Sequence, residues 1–139
     1  MTETALEQAK RIHSGERTSL SYVQEALDCI DATDKEVKAY VSVLHDQALE
    51  QAATVDARIQ SGEIISPLAG VPIGIKDNLC MKGTRTTCSS KMLENFVSPY
   101  TATSVQQLLD ADMIPVGKCN MDEFAMGSST EHSAFFSTK

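Results

Sequence analysis

Nowhere in this chain does an apolar run approach the ~20 residues that a membrane span requires, so no membrane partner is expected. It has no cluster of lysine and arginine either. Its 12 basic residues face 19 acidic ones, for a formal net charge of −7. A chain of that balance grips phosphate backbones poorly, and any nucleic acid in its biology is expected to be held mainly by a partner. The stretch Met1 to Arg17 is polar and alternates in charge, which does not fit a signal peptide. Internal repeats and low-complexity segments are missing as well. The cysteines, Cys29, Cys80, Cys88 and Cys119, are spaced too widely for a zinc ribbon or a Cys-x-x-Cys redox pair. They read as reduced, buried thiols of a cytoplasmic protein, and no metal is expected.

What is present suits a single domain of 139 residues, 42% hydrophobic and 22% charged. The first third reads as helix. Leu6, Ala9 and His13 share one face of a short segment ending near Gly15. Thr18 or Ser19 starts a second helix with a stripe of Leu20, Val23, Leu27 and Ile30. A short strand over 39–43 precedes a third helix, whose Ala48, Ala52, Val55 and Ile59 lie on one side and which stops at Gly62. From Ile64 the pattern changes. Val71 to Ile75 and Met113 to Gly117 read as buried strands, Ser89 to Asn95 as a short helix, and Thr101 or Thr103 as the start of a helix between the strands. Met121 to Phe124 reads as one helical turn before a Gly/Ser loop. The order strand, helix, strand, helix, strand predicts an α/β protein.

Two lysines lie at strand ends. Lys76 follows an apolar strand directly, the position where active sites of open α/β sheets gather. It is either a base that apolar walls (Val71, Ile73 and Ile75) could strip of its proton, or a lysine snorkelling at a strand end. Bringing a lysine from ~10.4 to near 7 costs ~4–5 kcal/mol of differential solvation. Asp77 would oppose that by pairing with the ammonium, but neighbours on an extended chain point to opposite faces. Lys118 reads as a cation paired with Asp122 or Glu123. Those two adjacent carboxylates, lacking a third ligand, are a poor cation site.

The string Leu68-Ala69-Gly70-Val71-Pro72-Ile73-Gly74-Ile75-Lys76-Asp77-Asn78 closely resembles the segment of the amidase signature family that holds its catalytic lysine. The resemblance continues through Gly83 to Lys91 and Tyr100 to Thr103, and is most specific from Gly117 to Glu131. It implies a mixed sheet flanked by helices, incomplete in this chain. Residues 1–62 would be a mainly helical N-terminal part, and residues 63–139 the start of the catalytic α/β core, of one incomplete domain. It also implies a Ser–Ser–Lys triad in which a neutral lysine and a bridging serine relay the proton of a nucleophilic serine to cleave an amide. Lys76 matches the lysine. Neither the Gly-Gly-Ser-Ser-Gly-Gly-Ser stretch of the bridging serine nor the Asp-Thr-Gly-Gly-Ser stretch of the nucleophile occurs, so the chain alone is expected to be inactive. By the same resemblance Met126, Gly127 and Ser128 line the substrate pocket, although a plain sheet connection explains that loop equally well. Asp112 stands where the family usually has a glycine, at a helix end that tolerates a left-handed residue.

The string Met121 to Glu131 resembles the family branch that hydrolyses glutamine within a tRNA-dependent amidotransferase. That branch implies B- and C-type partner subunits and tRNA held mainly by the partner. The full complex would use ATP to convert Glu-tRNA(Gln) to Gln-tRNA(Gln), while this chain would carry no cofactor. A general amidohydrolase of small amides and a non-catalytic scaffold are the alternatives.

Overall fold

Thr4 and Glu7 cap the first helix, α1 (Ala5–His13), reciprocally. The Glu7 amide donates to Thr4 Oγ1 at 3.3 Å and the Thr4 amide to Glu7 Oε2 at 2.7 Å. This computed structural model describes residues 3–139; Met1 and Thr2, where the stretch read as unlike a signal peptide begins, lie outside the described residues. The buried face of α1 is Ala9 and Ile12, while Leu6 and His13 are exposed. The stripe expected through Leu6, Ala9 and His13 is therefore rotated, because burying the larger apolar Ile12 gains more than burying a histidine. Thr18 caps α2 (Ser19–Val37), its Oγ1 accepting from the Ser21 amide at 3.1 Å. Val23, Leu27 and Ile30 of α2 pack with Ala48, Ala52 and Val55 of α3 (His45–Gln60), as the spacing predicts, though Leu20 is exposed.

The three strands β1 (Tyr40–Val43), β2 (Pro72–Lys76) and β3 (Ile114–Cys119) form one sheet of order β1-β3-β2. Central β3 runs antiparallel to β1 and parallel to β2. The expected α/β order holds, with α4 (Thr103–Asp110) between β2 and β3. Ile114 and Val116 pack on the α2–α3 layer, and Val105 of α4 packs on Ile75 and Met81. β3 is buried along nearly its whole length. β2, expected as an interior strand, has Gly74 and Lys76 exposed. Among the described residues it has one neighbour, β3, and it begins at Pro72, a residue suited to strand starts and edges.

Asp112 sits at a left-handed φ of 56° after α4 and pairs with Arg58 Nη1 at 2.6 Å. That ion pair offsets the cost of a non-glycine residue there. All four cysteines are free, but the expected burial fails: Cys29 is exposed on α2 and the other three are half-buried. Among the described residues no helix is long and apolar enough to cross a membrane.

Candidate active site

Lys76 ends β2 beside Cys119, which ends β3, so the two parallel strands finish together with Lys76 at their carboxyl edge. It is exposed, and among the described residues it joins no ion pair. The apolar wall expected from its own strand is turned elsewhere. Val71 is buried with Ala9 and Ile12, Ile75 with Met81 and Val105, and Ile73 is shared between those clusters.

Alternation along β2 puts Asp77 on the face opposite Lys76, together with Ile75 and its register partner Lys118. Lys118 is wholly buried and Asp77 is 1% exposed, with Nζ 3.3 Å from Asp77 Oδ1. The same ammonium donates to the Arg85 carbonyl at 3.2 Å and to Thr86 Oγ1 at 3.0 Å. The expected partners, Asp122 and Glu123, are engaged elsewhere, so that reading of Lys118 is corrected. Asp77 Oδ2 accepts from the Thr87 amide at 3.1 Å, the Thr87 hydroxyl, and the Ser89 amide at 3.4 Å. Among the described residues Oδ1 accepts no hydrogen bond and has only the charge of Lys118 opposite it.

The loop that Asp77 gathers carries the network onward. Cys88 and Ser89 sit at left-handed φ values of 51° and 50°. Ser89 Oγ donates to Asn120 Oδ1 at 3.0 Å and accepts from the Met121 amide at 3.1 Å. The Phe124 amide donates to the Cys88 carbonyl at 3.0 Å, and Ser90 Oγ donates to Glu123 Oε1 at 2.5 Å. The end of β2 and the loop after β3 are thus tied through residues 85–90.

Met126, Gly127 and Ser128 follow that second loop and are all exposed, Met126 at 81%. Asp122 shapes their backbone. Its Oδ2 accepts from the Ser129 and Thr130 amides at 3.1 and 2.9 Å, and its Oδ1 from the His132 amide at 2.9 Å. A Cβ on Gly127 would come within 2.5 Å of Asp122 Cγ, so only glycine fits against that carboxylate. Phe124, Ala125 and Thr130 all hold left-handed φ values, a concentration of backbone strain typical of functional loops. Two clefts, of about 500 and 560 Å³, lie away from this loop, against α3 and α4 and against α1 and α2.

The model of the amidase family matches residues 21–139. This chain belongs to the amidase family. It is 55% identical over 120 residues to the A-type subunit of the glutamyl-tRNA(Gln) amidotransferase of Nostoc punctiforme, covering 86% of this chain and 25% of that relative. The chain thus spans about a quarter of the length of the curated relatives it matches. The solved structure of the corresponding A-type subunit from Thermotoga maritima is 39% identical, with a TM-score of 0.70 over 87% of this chain and 24% of that one. The peptide amidase of Stenotrophomonas maltophilia is 27% identical and superposes with a TM-score of 0.87 over 97% of this chain and 29% of that one. The fold is the amidase signature fold, shared by both kinds of neighbour.

Two features of this chain went unread in the sequence. The Asp77–Lys118 pair spans two strands and has no local signature. Asp122 had one: an aspartate ahead of a Gly/Ser loop is a natural acceptor for its amides. The His132 and Thr130 amides, with Ser129, hold the Asp122 carboxyl below its ordinary range. Because the folded value is depressed, the stabilisation is complete above the ordinary carboxylate value and is lost as pH falls through the depressed one. The amide resonances of Ser129, Thr130 and His132 are therefore expected to shift together, at a pH below that of an ordinary aspartate. Asp122→Asn abolishes that titration and loosens residues 126–132. Independent movements of the three amides, or a midpoint in the ordinary range, would count against the cradle.

Proposed function

We propose that this chain is the N-terminal portion of the glutamine-hydrolysing subunit of a tRNA-dependent amidotransferase, with residues 1–62 and 63–139 forming parts of one incomplete domain. The reading is supported chiefly by the 55% identity to the A-type subunit of a glutamyl-tRNA(Gln) amidotransferase. In this reading Lys76 is the base of a Ser–Ser–Lys triad whose serines come from sequence beyond these 139 residues. The nucleophilic serine attacks the glutamine side-chain amide, and its proton passes through the bridging serine to Lys76. Ammonia leaves, and water releases glutamate from the acyl-enzyme. Met126, Gly127 and Ser128 line the pocket that holds the substrate. B- and C-type subunits activate the glutamyl group on tRNA with ATP and carry the ammonia to it in the cytoplasm.

The second reading, an amidohydrolase of small amides, is favoured by the closer superposition on the peptide amidase. Ammonia release by the full-length protein separates them. The amidotransferase reading expects glutamine to be turned over much faster than simple aliphatic amides such as propionamide. The reverse order would favour the general amidase. The 139 residues alone are expected to release no ammonia from either, since Lys76 there has neither relay nor nucleophile. Release that depends on Lys76 in the isolated chain would refute the triad assignment.

A further inference from the structure

We propose that Lys118 is a positioning residue that occupies Asp77, leaving Lys76, the adjacent residue, without a counter-charge. The proposal rests on the reading of Lys76 as the triad base. A base must spend part of its time unprotonated, and an uncompensated carboxylate one residue away works against that. The structure resolves the conflict by committing Asp77 to a different cation. Lys118 places Nζ 3.3 Å from Oδ1, and three donors from Thr87 and Ser89 hold Oδ2 on the same buried face. Among the described residues Lys118 pairs with no other acid: its remaining hydrogen bonds go to the neutral Arg85 carbonyl and Thr86 hydroxyl.

The two opposite charges, 3.3 Å apart, offset one another as felt by Lys76 across the strand, whereas either one alone would act on it uncompensated. Oδ1 accepts no hydrogen bond, so the ammonium is its only compensation. Other titratable groups packed near the pair are the Cys88 and Cys119 thiols. Burial pushes both up, with Asp77 adding to that and Lys118 opposing it. Asp34 also acts on Cys119. Beyond the pair's loop, Glu123 is hydrogen-bonded to Ser90, and the Asp122 carboxylate is enclosed by its own amides. Neither is free to take the place of Asp77 opposite Lys118.

The test is the acid limb of the kcat/KM profile of the full-length amidase, with glutamine and propionamide as parallel probes. Lys118→Met leaves Asp77 uncompensated, and the limb is expected to move up by about one pH unit, the size of an unpaired charge acting through partly screened surroundings. Asp77→Asn leaves the Lys118 ammonium uncompensated, and the limb is expected to move down. Asp77→Asn/Lys118→Met is neutral and near-isosteric, and it returns the limb to the wild-type pH. A purely structural pair would lower activity in the single variants without moving the limbs in opposite directions; limbs that stay in place or move together overturn the proposal. If Lys118→Met does not fold, Asp77→Asn decides alone, with a downward shift in support and an unmoved limb against. Retained turnover in Lys76→Ala would remove instead the base assignment beneath the proposal, a failure distinct from unmoved limbs in an enzyme that needs Lys76.

Discussion

In the full-length protein, Lys76→Ala is expected to lower kcat by about 10²–10⁴ while KM for glutamine changes little, the range of a lost general base. The base acts on the proton of the attacking hydroxyl, which moves only as the transition state forms, so the loss falls on kcat and kcat/KM together. Lys76 is exposed at the strand end and joins no ion pair among the described residues, so its removal leaves no buried group unpaired. The fold is expected to survive, and the lost activity then reports chemistry rather than stability. Lys76→Arg keeps the positive charge but cannot give up a proton near neutral pH, and is expected to fail about as badly. Near-normal turnover in the arginine variant would make a base role for Lys76 untenable.

Lys118→Met is expected to destabilise the protein by about 3–5 kcal/mol, the usual cost of breaking a buried ion pair by removing one partner. Lys118 is wholly buried, and Asp77 Oδ1 has nothing else opposite it. Its loss also removes the two hydrogen bonds to the 85–86 segment, whose neighbours 88–90 brace the loop after β3. Asp77→Asn/Lys118→Met removes both charges and is expected to recover a large part of the loss, because the penalty lies in the orphaned charge rather than in the missing attraction. Urea unfolding of each variant reads this as a change in midpoint at constant slope. Strict additivity of the two single losses in the double variant would show that Asp77 and Lys118 do not act as a pair.

Local features were legible from the chain alone. Thr18 caps α2 because its hydroxyl reaches an amide three residues on, and the spacing of Ala48, Ala52 and Val55 is a property of the helix. Asp112 adopts the left-handed conformation anticipated at that helix end. Misreadings came where a choice depended on partners distant in sequence. α1 turned Ile12 inward rather than His13 because Val71 and Met113 were there to receive it. Cys29 stayed exposed because the buried side of α2 was already filled by Val23, Leu27 and Ile30.

The sequence by itself determined that Lys76 lies at the end of an apolar strand, that Asp77 follows it, and that Lys118 lies near the end of a second strand. Which lysine meets Asp77 was decided only in the tertiary structure. Between Ile73 and Gly74 the pairing of β2 with β3 slips by one residue, just after Pro115, so that Ile75 lies beside Lys118 and Lys76 beside Cys119. Without the slip Lys118 would lie beside Lys76, on the same face. A shift of one residue sends a side chain to the other side of a sheet, and no local pattern in either strand records it. That single step in register puts the buried cation with Asp77 and leaves Lys76 on the opposite face without it.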